Sequence, residues 1–217
     1  MLIDVVLRRP VLIVGEGEEM VSKVKKFLDR GASVIAIAGS AEEGLHELLA
    51  TYGDRLSVKA MDLGSLDPSS VPVADIGVVA VKERSLAVKL KGVLSPKVRF
   101  LNFADMPDLC DFYLPASFKK GPIEVGVSTG GMSPYMASSL RRRLEAQVSE
   151  LDALKVELLG ALRPVLLSRF REPSVRSSVA EAVIHDQCVV ERLYSRDLEG
   201  AMRISMRIIE AFGDGSR

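Results

Sequence analysis

The chain has 217 residues, 47% of them apolar and 27% charged, which suits one large globular domain, or a medium domain with an appendage, built around a real core. Lysine plus arginine and aspartate plus glutamate both number 29, so no net charge draws the chain to nucleic acid or to an anionic membrane. Two cysteines, Cys110 and Cys188, lie far apart and no Cys/His cluster exists, so no metal site is expected; no leader pattern and no apolar run near the ~20 residues of a membrane span appear, which makes the cytoplasm the expected compartment.

In chain order, the run "PVLIVG" (Pro10 to Gly15) is short, β-branched and stopped by glycine, as a buried parallel strand would be. From Glu18 to Arg30 the period changes. Met20, Val21, Val24, Phe27 and Leu28 share one face of a helix, with Gly31 as its C-terminal stop. "ASVIAIAG" (Ala32 to Gly39) is a second buried strand, and the three pieces form a βαβ unit with a right-handed crossover. The alternation goes on through a helix at Glu42 to Tyr52, strands at Leu56 to Met61 and Asp75 to Val81, a helix at Ser85 to Leu94 and a strand at Lys97 to Ala104. This predicts an α/β, Rossmann-like parallel sheet with helices on both faces.

Near Pro107 the character changes. Asp111 to Gly131 holds two short strands around the turn "KKGP", and Ser133 with Pro134 opens a helix whose apolar stripe is Ala137, Leu140, Leu144 and Val148. From Glu150 on only helices are predicted, punctuated by Pro164 and Pro173, the last being amphipathic through Leu198, Met202, Ser205, Ile208, Ile209 and Phe212. The expected division is 1–112, 113–149 and 150–217.

The stretch "VGEGEEM" has two of the three glycines of a dinucleotide turn. Gly15 and Gly17 supply the tight turn and the close backbone approach, and the following helix would aim its amides at a phosphate. Met20 stands in place of the third glycine, so the helix is expected to sit farther from the sheet or to tilt. Glu16 and Glu18 add negative charge. The second strand ends in "AIAGS" with no acidic residue for a ribose hydroxyl, which leaves Ser40 as the donor there. The βαβ context favours dinucleotide binding over the alternative, a plain strand–helix turn.

"NFAD" (Asn102 to Asp105) ends a central strand, the edge where open α/β sheets hold ligands. Asp105 there is either a general acid or base or a turn aspartate. "STGGMSP" (Ser128 to Pro134) joins strand to helix through two glycines that either make room for a ligand or serve the connection alone. Arg141, Arg142 and Arg143 spread ~100° apart on a helix, so they cannot all meet one ligand. His46 and His185 are isolated, and both cysteines are expected to be buried thiols.

"VLIVGEG" with its helix, followed by "NFADMPDLCDFYLPASFKKGPIEVGVSTGGMSPYMASSLRRRLE", closely resembles the precorrin-2 dehydrogenase / sirohydrochlorin ferrochelatase family, which includes the amino-terminal part of multifunctional sirohaem synthases. The resemblance implies a homodimer with a Rossmann domain (1–112), a central dimerisation and tetrapyrrole-binding region (113–149) and a helical domain (150–217). It also implies NAD-dependent oxidation of precorrin-2 to sirohydrochlorin, with ferrous iron as the substrate of a second step in some members. It places catalysis on Asp105. It places the cofactor on Gly15, Glu16, Gly17, Glu18, Ala38, Ser40 and Val81, and the tetrapyrrole on Asn102, Thr129, Gly130, Gly131, Ser133 and Arg141. Lys119 and Lys120 are further candidates for its carboxylates. The chain departs from the family at Glu16, where the middle of three glycines is usual, at Met20, where a small residue is usual, and at "VAVKERS" (Val79 to Ser85), where Lys82 replaces an Asp-rich step. The rival readings are a chelatase without the redox step and a non-enzymatic tetrapyrrole or nucleotide sensor or carrier.

Overall fold

The structure, a computed structural model, describes residues 7–40 and 42–214. It divides into two compact units, Met1–Leu114 and Pro115–Arg217.

The first unit is a five-stranded parallel sheet. Its strands are β1 (Val11–Gly15), β2 (Val34–Ala38), β3 (Leu56–Ala60), β4 (Ala74–Ala80) and β5 (Val98–Phe103), in the order β3-β2-β1-β4-β5. Because side chains alternate along a strand, β1 splits its apolar run between two cores, which is why it is apolar throughout. Leu12 and Val14 join Ile37, Val79 and Leu101 on one face. Val11 and Ile13 join Ala36, Ala38, Val78 and Ala80 on the other. Helices α1 (Gly17–Leu28) and α2 (Glu43–Tyr52) cover the second face through Met20, Val24, Leu28, Leu45 and Leu48, and α3 (Arg84–Leu94) covers the first through Ala87, Leu90 and Leu94. Gly31, at φ +84°, ends the turn after α1 in a conformation that favours glycine.

Met20 is fully buried in the α1 face. The sheet residues in its cluster include the small Ala36, Ala38 and Ala80 beside the larger Val11, Ile13, Val34, Leu56 and Val78. The long side chain that stands in place of the third glycine is thus taken into the core that α1 shares with the sheet.

The second unit opens with an antiparallel hairpin, β6 (Ala116–Lys120) and β7 (Ile123–Val127), followed by α4 (Pro134–Gln147). Lys120 Nζ donates to Val148 O at 2.5 Å and Glu145 O at 3.5 Å, which places a cation on the carbonyl end of α4. The remaining helices are α5 (Glu150–Arg169), α6 (Pro173–His185), α7 (Gln187–Tyr194) and α8 (Leu198–Asp214). A reciprocal capping box opens α5: Ser149 Oγ accepts from Asp152 N at 3.1 Å, and Asp152 Oδ2 accepts from Ser149 N at 2.8 Å. The core of these four helices is built from Leu158, Leu162, Leu166, Val179, Val183, Val189, Leu193, Ala201 and Ile209. Ser205 is buried among them, its hydroxyl satisfied by Ala201 O at 2.8 Å.

Three sequence expectations change. Pro164 does not punctuate the helical region but lies inside α5. The carbonyl that its ring deprives of a donor belongs to Gly160, around whose Cα a methyl group would meet nothing within 4 Å. Cys188 is exposed, not buried, while Cys110 is half-buried. Of the expected stripe on α4 only Ala137 is buried; Leu140 and Val148 are half-covered and Leu144 is exposed. Among the described residues, no helix is long and apolar enough to cross a membrane.

Candidate nucleotide and catalytic site

The strand order reverses between β1 and β4, since β2 and β3 build outward from one side of β1 and β4 and β5 from the other. Ligands of open parallel sheets lie at the carboxyl ends of the strands flanking such a point. Gly15 is the last residue of β1 and lies between Ala38 of β2 and Ala80 of β4. A Cβ on Gly15 would stand 2.2 Å from Ala80 O, so only glycine permits this approach. Glu16 N donates to Ala80 O at 3.1 Å and Gly39 N to Gly15 O at 3.0 Å, fixing the turn from both sides. Gly17, at φ +73°, opens α1, and a Cβ there would meet nothing within 4 Å. The pair fits a dinucleotide: backbone packed tightly against the sheet at Gly15, and open space over a helix N-terminus at Gly17.

The other residues expected at the cofactor fall on this same edge. Glu16 and Glu18 are exposed in the turn and first helical turn, Ala38 is buried at the end of β2, and the side chain of Val81 is buried just past β4. Ser40 Oγ donates to Glu42 Oε1 at 2.6 Å, and the same oxygen accepts from Gly17 N at 2.7 Å. Glu42 was not singled out by sequence, because its meaning depends on a contact 25 residues away. Its position at the N-cap of the helix after β2 was the available signal. Gly44 explains how it arrives: a Cβ there would be 2.8 Å from Val21 Cγ1, so glycine lets the first turn of α2 close on α1. The carboxyl of Glu42 is held below its ordinary value by the Ser40 hydroxyl and then by the Gly17 amide.

Asp105 ends the edge at β5. It is exposed and has φ +58°, a left-handed conformation that a non-glycine residue adopts at a cost of roughly 1 kcal/mol. The chain then folds back on β5. Asp111 N donates to Leu101 O at 2.8 Å and Leu101 N to Asp111 Oδ2 at 2.9 Å. Cys110 Sγ accepts from Phe103 N at 3.1 Å, and Asn102 Nδ2 donates to Phe112 O at 2.9 Å. Asn102 is buried, so its amide braces the returning segment. Arg84 grips both oxygens of Asp108, at 3.1 and 2.5 Å, and Lys91 Nζ donates to Leu109 O at 2.8 Å, tying the loop to α3. The guanidinium holds the Asp108 carboxyl below its usual range.

The tetrapyrrole candidates from Thr129 on belong to the second unit. Thr129 Oγ1 accepts from Ser133 N and donates to Ser133 O, both at 3.1 Å, closing the glycine loop on itself. Gly130 and Gly131 have φ +61° and +82°. Ser133 Oγ accepts from Met136 N at 3.2 Å as the cap of α4, and Arg141 pairs with Glu145 at 2.6 Å. Lys119 is exposed, while Lys120 is spent on the end of α4.

The chain is similar to known proteins over most of its length. Siroheme synthase of Methylococcus capsulatus is 32% identical over 93% of this chain and 41% of its own length. Siroheme biosynthesis protein met8 of Schizosaccharomyces pombe is 29% identical over 76% of this chain and 62% of its own. The chain thus spans less than two thirds of either relative. The solved structure of SirC, precorrin-2 dehydrogenase, matches with a TM-score of 0.66 at 24% identity, over 91% of this chain and 99% of that one, which shows a shared fold. A family model described as "Putative NAD(P)-binding" matches residues 5–116, and one described as "Sirohaem biosynthesis protein central" matches residues 120–147. The second follows the first directly, and the first takes in more than half of the chain: the chain belongs to the family described as putative NAD(P)-binding.

Proposed function

We propose that the chain catalyses the NAD-dependent oxidation of precorrin-2 to sirohydrochlorin. Names of relatives and family membership support the pathway, and one observation carries the chemistry. Asp105 is held in a left-handed conformation at the carboxyl end of β5, on the same sheet edge as the Gly15–Gly17 turn. A strained carboxylate at a ligand-binding edge, braced by Cys110, Asp111 and the Arg84–Asp108 pair, is built for a task other than packing.

The oxidation removes two hydrogens, one as hydride and one as proton. The nicotinamide dinucleotide supplies the hydride acceptor when bound. Gly15 and Gly17 offer it backbone, and Asp105 accepts the proton. Asn102, Thr129, Gly130, Gly131, Ser133 and Arg141 remain the candidates for the tetrapyrrole, and residues 113–149 and 150–217 the central and helical regions of the working protein. The apolar residues left bare around α4, Met132 at 89% exposure and Tyr135 at 74%, with Met136 and Leu144, support a homodimer formed through this face. The free thiols of Cys110 and Cys188 fit the cytoplasm.

Anaerobic incubation with precorrin-2 and NAD, followed by absorbance, tests the reading. In the same assay Asp105→Asn, which suits φ +58° as well as aspartate does, is expected to keep its melting temperature and lose turnover by about 10²- to 10⁴-fold. Full activity in this variant sinks the assignment.

A second reading, insertion of ferrous iron as substrate into sirohydrochlorin without the redox step, draws on the Glu42 carboxylate that already satisfies the Gly17 amide. Sirohydrochlorin and ferrous iron with NAD omitted separate the two.

A further inference from the structure

Glu42 stands where a dinucleotide turn discriminates. One of its oxygens, Oε1, is fixed by the Gly17 amide at 2.7 Å and the Ser40 hydroxyl at 2.6 Å. The other, Oε2, takes no hydrogen bond from the described residues. The carboxylate is thus held at the head of α1 by one oxygen, which leaves the other as an acceptor. The hydroxyl and the amide that hold it also favour its charged form.

The two segments that build this turn carry one sign of charge. The segments 14–22 and 33–45, which form the β1–α1 turn and the β2–α2 connection, contain Glu16, Glu18, Glu19, Glu42 and Glu43 and no lysine or arginine. Glu16 Oε2 lies 3.3 Å from where a Cβ on Gly39 would be, so a second carboxylate borders the end of β2. The cations nearest in the chain are engaged or turned away. Lys23 pairs with Glu19 at 2.7 Å. Lys59 is paired with Ile37 across the β2–β3 ladder and so shares its sheet face, opposite the one that α1 and α2 cover. A dinucleotide with free ribose hydroxyls can donate to Glu42. One with an additional ribose phosphate brings about two negative charges against this carboxylate, with no arginine in either segment to receive it.

We propose that Glu42 selects the cofactor: its free oxygen accepts a ribose hydroxyl of NAD, and its charge, backed by Glu16, rejects NADP. The inference rests on the nucleotide reading above and supplies the discrimination that membership of an NAD(P)-binding family leaves open.

Calorimetric titration of the full chain with NAD and with NADP reads this without turnover. The unaltered protein is expected to bind NAD about 10- to 100-fold more tightly, the range for a like charge a few ångströms away in a partly solvated site. Glu42→Gln keeps an oxygen for Gly17 and Ser40 and removes the charge; it is expected to shrink the ratio about tenfold, chiefly through tighter NADP binding. The ratio in the unaltered protein, measured at low and at high salt, needs no variant to fold, and is expected to fall as salt screens the carboxylate. A ratio that Glu42→Gln or salt leaves unchanged, or a preference for NADP, overturns the role of Glu42 while the dehydrogenase reading stands. Absence of binding by either dinucleotide overturns both.

Discussion

The chain makes the same kind of junction twice, strand to glycines to helix, at "VGEGEE" and at "STGGMSP", and builds the two to different ends. At β1–α1 the first glycine is demanded by the sheet, since a Cβ on Gly15 would press into Ala80 O. At β7–α4 the glycines are demanded by the backbone turn: Gly130 has φ +61° and nothing within 4 Å of a hypothetical Cβ. The helix caps differ as well. α4 is capped locally, by Ser133. α1 has no side-chain cap from its own N-cap residue, Glu16, and borrows a carboxylate from Glu42. A local cap is permanent furniture. A borrowed one can be shared with a ligand or displaced by it, and a family model for NAD(P) binding matches the region that has the borrowed one.

The largest effect that tests this contrast is Gly15→Ala. The new methyl group meets backbone, not a flexible side chain, so β1 and β4 must separate at the strand-order reversal. Overpacking of this kind costs on the order of 3 kcal/mol, a large share of the roughly 5–15 kcal/mol that holds a domain folded, and is expected to lower the urea midpoint sharply. A variant as stable as the parent refutes the close approach.

How far the sequence spoke for itself follows the same line between local and distant. The βαβ unit was legible because "PVLIVG" and "ASVIAIAG" are too uniformly apolar for anything but strands buried on both faces, and the start of α4 because Ser133 and Pro134 are consecutive signals. Pro164 misled because an interior proline costs a helix about 3 kcal/mol by itself, whereas here Leu158, Leu162 and Leu166 bury one side of α5 in the helical core and outweigh it. At the candidate site, Gly15, Gly17 and Asp105 were legible as residue types at strand ends. Glu42 was not, since no local pattern says that a glutamate will reach an amide 25 residues back. Nor was the left-handed backbone of Asp105, which comes from the fold-back through Cys110 and Asp111. Met20 was legible as a departure from the glycine pattern, while its full burial in the core between α1 and the sheet emerges only from the fold.

Gly17→Ala sharpens the comparison within a single turn. Here there is room for the methyl group, and the cost is that of placing alanine at φ +73°, roughly 1 to 2 kcal/mol. The variant is expected to fold, with a lower urea midpoint, and to bind NAD more weakly because the methyl group projects into the open space over α1. Equal losses from Gly15→Ala and Gly17→Ala would erase the distinction between a glycine the sheet requires and one the ligand requires.

The smallest effect is expected at the other junction. Ser133→Ala removes one bond, Ser133 Oγ to Met136 N, while Thr129 continues to hold the backbone of residue 133 through both its N–H and its C=O. The loss is that of one N-cap, about 1 kcal/mol. Because this cap is local, the loss should be the same in urea titrations with and without NAD. A variant at α1 behaves otherwise: truncating Glu42 to alanine removes both the acceptor of the Gly17 amide and the ribose contact proposed above, so the variant gains less from NAD and the deficit widens as NAD is added. A Ser133→Ala deficit that widened on adding NAD would put the nucleotide at α4 and reverse the assignment of the two junctions.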